Sequence, residues 1–181
     1  MCGRAHLSSD VEKLIEVFSI PAAHPPPNFA ASWNVAPTDP LPVVRYNDKT
    51  GERSLDVLRW GLVPFWAKDI KVGFANINAK AEGIDTRPAF REAFQRRRCL
   101  VPIDTTVPNA LCGAIHDRMP VILKPGTWPI WLGEEPADPP QLKELLAPYP
   151  PEEMIAWPVG ARVGNVKNND PGLIEPLAAA G

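Results

Sequence analysis

Leu41-Pro42-Val43-Val44-Arg45-Tyr46, then Asn47-Asp48-Lys49-Thr50-Gly51, then Arg53-Ser54-Leu55-Asp56-Val57-Leu58-Arg59-Trp60: two runs rich in valine, leucine and aromatic residues flank five residues of turn chemistry. Branched and aromatic side chains fit a pleated surface, and asparagine, aspartate and glycine accept the tight backbone that reverses a chain. The stretch therefore predicts an antiparallel hairpin. Proline limits what else can form around it, with 23 prolines in 181 residues against an ordinary usage of about 5%. Each interior proline removes a donor and collides with the preceding helical turn. The rest of the chain reads as short strands, short helices and much ordered loop.

The length is that of one domain with enough chain to bury a core. Hydrophobic residues make up 45% and charged residues 22%, the proportions of a soluble globular protein. A net charge of -2 gives no global attraction for nucleic acid, so such a partner would need a local basic surface. Three cysteines without a framework of spacings suggest reduced thiols in the cytoplasm. No apolar run approaches the roughly 20 residues of a membrane span, and the first residues lack a signal peptide's apolar core. A soluble cytoplasmic protein is expected.

Upstream of the hairpin, Ser9-Asp10-Val11-Glu12 reads as a capping box, and Val11, Leu14, Ile15 and Phe18 recur at helical spacing. That helix ends before Pro21, and Pro21 to Pro27 is a stiff connector. Downstream, Trp60-Gly61-Leu62-Val63-Pro64-Phe65-Trp66 breaks the strand and leaves large rings on a loop. Trp60 is expected in the core, whereas Phe65 and Trp66 suit a surface wedge that stacks on a base. Phe74 to Ala79 reads as a strand with Asn76 and Asn78 on one side. A short helix follows, with Thr86 as cap and Phe90 and Phe94 facing inward. Arg87, Arg91, Arg96, Arg97 and Arg98 form the only strongly basic stretch, either a solvated helix face or ground for an anion. Cys99 to Pro102, Val121 to Leu123 and Met154 to Val159 read as strands. Trp128 and Trp131 fall on one short helix, and Leu142, Leu145 and Leu146 on another opened by Pro139-Pro140. Asn165 to Pro171 reads as an ordered loop.

Met1-Cys2-Gly3-Arg4 opens the chain. If Met1 is removed, Cys2 carries an α-amine of pKa about 7.7–8.0 beside a thiol of about 8.5, so both are partly reactive near neutrality. An aldehyde would form an imine with the amine and then be captured by sulfur in a five-membered thiazolidine. The alternative is that position 2 is arbitrary and Met1 stays in place.

Seven motifs in order carry a resemblance to the SOS response-associated peptidase family, whose domain senses abasic sites in single-stranded DNA. They are Met1-Cys2-Gly3-Arg4, Asn34-Val35-Ala36-Pro37, Trp60-Gly61-Leu62-Val63-Pro64 with Trp66, Asn78-Ala79-Lys80-Ala81-Glu82, Arg98-Cys99-Leu100-Val101-Pro102, His116-Asp117-Arg118-Met119-Pro120 and Gly164-Asn165-Val166-Lys167-Asn168. The resemblance implies a single α+β domain over 1–181, with a mainly antiparallel curved sheet or open barrel and short helices. It implies that Cys2 forms a covalent thiazolidine with the aldehyde of an abasic site, shielding the lesion from strand cleavage. Asn78 matches the hydrogen-bonding asparagine of the site, and His116 the proton carrier near the sugar oxygen. Arg4, Lys80 and Arg118 match positions that hold phosphates, and Phe65 and Trp66 the wedge, while Arg87 of the basic stretch is a further DNA-binding candidate. Lys80 stands where the family usually has arginine, which keeps the charge and loses the bidentate fork.

The resemblance also implies a departure. Between Cys99-Leu100-Val101-Pro102 and Thr105-Thr106-Val107-Pro108-Asn109, the family has a block of several tens of residues with a catalytic glutamate in an aromatic-rich strand. Here Ile103-Asp104 runs straight across, an internal deletion near 103–105 that would remove several strands and open sheet edges. Three rival readings remain: a cysteine-type hydrolase with Cys2 as nucleophile and His116 as base, a non-catalytic single-stranded DNA-binding remnant, and a metal site from Cys112 and His116. The expected protein is a monomer with no cofactor and no metal.

Overall fold

The computed structural model describes residues 2–22, 25–108 and 119–177. Its first strand, β1 (Cys2–Leu7), lies in the middle of a three-stranded antiparallel sheet. One neighbour is β2 (Ser32–Val35). The hairpin follows as β3 (Pro40–Asn47) and β4 (Glu52–Arg59), in unbroken register from Pro40 opposite Arg59 to Asn47 opposite Glu52. Its turn is closed by Gly51, whose φ of 70° lies in the left-handed region, where a side chain would be strained. The other neighbour of β1 is β5 (Thr105–Pro108). Pairing slips between Cys2 and Arg4 against β5 and between Ala5 and Leu7 against β2. Such bulges bend a strand and re-aim its side chains.

Two apolar clusters join these sheets. Leu7 of β1 packs with Val44 and Leu55 of the hairpin, with Leu14 of α1 (Val11–Val17) and with Phe18 at that helix's C-cap. Trp128 stacks on Phe18 with ring centroids 4.6 Å apart. Ala5, Val35 and Leu41 form the second cluster, and Trp60 packs against it, as the sequence predicts. The other α-helices among the described residues are α2 (Arg91–Arg96), α3 (Trp128–Leu132) and α4 (Pro139–Glu144). Phe90 and Phe94 are buried at the predicted spacing, and α4 begins with a capping box between Asp138 and Gln141.

Several expectations are corrected. The cap of α1 is Asp10, which accepts from the Lys13 N–H at 2.8 Å, while the Ser9 hydroxyl donates to Asp104 instead. Thr86 caps nothing, its hydroxyl donating to the Gly83 carbonyl. The strand expected at Phe74–Ala79 is a 3-10 helix over Ile70–Asn76, started by Asp69, whose carboxylate accepts from the Lys71 N–H at 2.8 Å. The strands expected at 99–102 and 154–159 shrink to single bridges, Leu100 with Val44 and Val159 with Pro176. Residues 121–123 form no strand, and Val121 and Ile122 are exposed, like Val101 and Ile103. Apolar runs become strands only where a partner edge exists, and proline at 102 and 158 withholds the donor that would extend the pairing. Among the described residues there is no closed barrel, only a three-stranded and a two-stranded sheet. No described helix is long and apolar enough to cross a membrane.

Because Leu7 joins the central strand to α1 and the hairpin, Leu7→Ala should lower unfolding stability by about 2–5 kcal/mol, the usual result of a buried leucine truncation. Urea titration checks it as a shift in midpoint at constant slope.

Candidate nucleic-acid site around the first strand

The backbone of β1 begins at Cys2, paired with Pro108 of β5. Two residues on, the half-buried Arg4 donates from Nη1 to the Gly3 carbonyl at 2.8 Å and from Nη2 to the Gly164 carbonyl at 3.1 Å. Arg4 thereby ties the first strand to a loop 160 residues away. Asn34 of β2 secures the same loop. Its buried side chain donates from Nδ2 to the carbonyls of Asn165 and Asn168 at 3.0 and 2.9 Å. Asn169 returns the contact, its Oδ1 accepting from the Trp33 N–H at 2.7 Å. Three of the sequence motifs thus meet in space, and Asn34 is the buried hinge between them.

A second unit carries Phe65 and Trp66, the rings expected to form a wedge. The Trp60 indole, set in the cluster beneath β1 and β2, donates to the Ile77 carbonyl at 2.9 Å, immediately before Asn78. The Leu62 N–H donates to the Asn76 carbonyl, and the Asn76 amide donates back to the Leu62 carbonyl, both at 3.1 Å. Gly61 has φ of 125°, and a Cβ there would lie 2.7 Å from the Gly73 carbonyl oxygen. Only glycine permits that approach. The loop closed this way carries Phe65, 77% exposed, and Trp66, 54% exposed. Both rings face solvent. Arg59 lies over the Phe74 ring at 5.5 Å.

Asn78 is half-buried, and Lys80 and Arg87 are exposed on either side of the 3-10 turn at Ala81–Gly83. His116 and Arg118 lie outside the described residues, as does Cys112. Among the described residues no group of three or more His, Cys, Asp or Glu side chains could hold a metal ion. The basic stretch divides in two. Arg98 is structural, donating to the carbonyls of Phe94 and Gln95 and lying over Trp131, and Arg97 pairs with Glu92. Burial pushes the Cys99 thiol up despite the nearby Arg45, which removes it as a rival nucleophile.

Sequence reading missed the cluster around Asp104. Asp104 Oδ2 accepts from the Ser8 and Ser9 N–H groups at 2.7 and 2.9 Å, and Oδ1 from the Ser9 hydroxyl at 2.6 Å. Burial raises the Asp104 carboxyl, but these bonds from Ser9 and Ser8, with His6 nearby, bring it below its ordinary 3.8. His6 is buried, stacked near Trp33, with Nδ1 3.1 Å from the Thr105 hydroxyl and Nε2 4.0 Å from Asp104 Oδ2. Burial lowers its pKa from 6.5, and Asp104 opposes that only in part. Asp104 is therefore a clamp on the turn leaving β1. Its backbone N–H also donates to the His6 carbonyl at 2.9 Å.

Small antiparallel sheets and short helices define an α+β domain, and its exposed rings and cations are candidates for a nucleic-acid surface. The chain belongs to the SOS response associated peptidase (SRAP) family, whose model matches residues 1–105 and 103–166. It is 35% identical, over 224 aligned residues, to the abasic site processing protein YoqW of Bacillus subtilis, with 97% of this chain and 99% of that protein covered. Identity to the abasic site processing protein YoaM of the same organism is 33%, covering 97% and 98%. A solved structure of a protein from Bacteroides thetaiotaomicron superposes with a TM-score of 0.77 at 18% identity, covering 98% of this chain and 100% of that one. That likeness concerns the fold.

The pH dependence of stability follows from the clamp. His6 is disfavoured as a cation in the fold, so stability should decline as pH falls below 6.5, where the unfolded chain takes up the proton first. Asp104 is favoured as an anion, so its contribution is present above 3.8 and lost as pH falls through its lower folded value. Denaturant titrations from pH 8 to 3 should show both stages, with His6→Gln flattening the first and Asp104→Asn the second.

Proposed function

We propose that this protein captures abasic sites in single-stranded DNA as a covalent thiazolidine on Cys2. The observation that supports the reading most is the family relationship along almost the whole chain, shared with relatives named for abasic site processing. The reaction needs no cofactor. After removal of Met1, the α-amine of Cys2 adds to the C1′ aldehyde of the ring-opened sugar, and the carbinolamine loses water to give an imine. The thiolate then adds to the imine carbon while the nitrogen takes up a proton. One C–N and one C–S bond form, the C=O bond is lost as water, and no electrons leave the system.

In this reading Asn78, placed through the Trp60–Ile77 bond, orients the sugar or the amine, and His116 carries the proton near the sugar oxygen. Arg4, Lys80, Arg87 and Arg118 hold phosphates, and Phe65 and Trp66 part the bases at the lesion. Stacking on exposed rings contributes about 1–3 kcal/mol per base.

We also read the chain as lacking the block that carries the family's glutamate. The family match falls into two segments meeting at 103–105, and the alignment to YoqW spans 224 positions for a chain of 181. Exposed Val101, Ile103, Val121 and Ile122 fit a surface once covered by those strands. Asp104 is poorly suited to replace the glutamate. Its oxygens are engaged by Ser8 and Ser9, and it is held as an anion. Cross-linking should therefore run about 10²–10⁴-fold slower than in a family member with the glutamate, the usual contribution of a positioned acid or base. Denaturing gels of an abasic oligonucleotide should show a slowly formed retarded band with the wild type and none with Cys2→Ala. A band of equal intensity with Cys2→Ala would overturn the assignment.

A further inference from the structure

Gly164 to Asn168 is a sequence motif that the proposed chemistry does not use. Its geometry is that of a fixed turn. The Asn168 N–H donates to the Asn165 carbonyl at 3.1 Å, which makes Val166 and Lys167 the two central residues of a β-turn. The Asn165 side chain accepts from the Lys167 N–H at 3.1 Å, and the Asn168 amide donates to the Arg162 carbonyl at 2.8 Å. Asn34 grips the turn at both ends, Arg4 holds Gly164, and Arg162 pairs with Asp170 at 2.7 Å.

What this framework presents is not buried. Val166 is 56% exposed at the tip, and Lys167 is exposed with no side-chain hydrogen bond or ion pair among the described residues. Ordering a lysine side chain and its loop is entropically unfavourable, and here the backbone share of that ordering is already met before any ligand arrives. Gly164, bonded to Arg4, and Lys167 are three residues apart, so their Cα atoms lie within about 10 Å. Lys167 therefore sits on the same tethered turn that Arg4 holds through Gly164.

We infer that the Asn165–Asn168 turn is a preorganised DNA-contact element, in which Lys167 binds a backbone phosphate of the strand beside the lesion and Val166 lies against the neighbouring nucleotide. Asn34 is its positioning residue. The inference rests on the proposed binding of single-stranded DNA and adds a contact to it. The partner follows from charge and place: Lys167 stands on the loop that Arg4 and Asn34 hold, and an ammonium on a fixed turn suits a point contact to a phosphate.

The test uses lesion-free oligothymidylate, so that binding is reversible and independent of Cys2 chemistry. The salt dependence of its affinity counts the phosphates neutralised, at about 0.7 per contact for a single strand. Lys167→Gln should reduce the slope of log K against log salt by about 0.7, and Lys167→Arg should restore it. Arg97→Gln, a cation of the same chain paired with Glu92, should leave it unchanged. A Lys167→Gln slope equal to the wild type, in a protein that still cross-links abasic DNA, overturns this inference alone. Wild-type protein that neither binds nor cross-links overturns both this inference and the proposed function.

Discussion

The pairing of β1 on both edges is the constraint on which the rest depends. A free N-terminal segment would leave the first residues mobile. Here the strand that begins at Cys2 is held by β2 on one side and β5 on the other, and its apolar residues serve two different clusters. Leu7 reaches α1 and the hairpin, and Ala5 reaches Trp60. Because Trp60 also holds the carbonyl just before Asn78, the core beneath β1 fixes a candidate partner of Cys2 at the same time.

The segment at 103–105 shows how the end of this strand is held. Asp104 accepts the backbone donors of Ser8 and Ser9 where the chain leaves β1, and its own N–H closes on His6. The carboxylate thus satisfies backbone donors where the ladder of β1 ends. His6 is held neutral beside it by burial, which gives the clamp its expected sensitivity to acid. A carboxylate committed in this way serves structure, and the same bonds that anchor it keep it from donating a proton.

Much of this was legible in the sequence, and the failures have physical causes. The β3–β4 hairpin, the buried Phe90 and Phe94 and the core position of Trp60 follow from local pattern, because each is decided by residues close in the chain. Residues 74–79, 99–102 and 154–159 look like strands because they are apolar, but strand formation depends on a partner edge that local pattern does not specify. The motifs of the candidate site were visible as motifs. That Arg4, Asn34 and Gly164 to Asn169 form one hydrogen-bonded unit was not, since side-chain to backbone bonds spanning more than 100 residues leave no periodic trace. The role of Asp104 was hidden for the same reason.

The account's central claim is that Cys2, as an N-terminal aminothiol, joins the lesion covalently. Intact-mass measurement of the protein after incubation with single-stranded DNA containing one abasic site tests it most directly. The account predicts free protein without Met1 and a product equal in mass to that protein plus the oligonucleotide less one water. Protein that retains Met1, or that yields no such product over many hours, would contradict it.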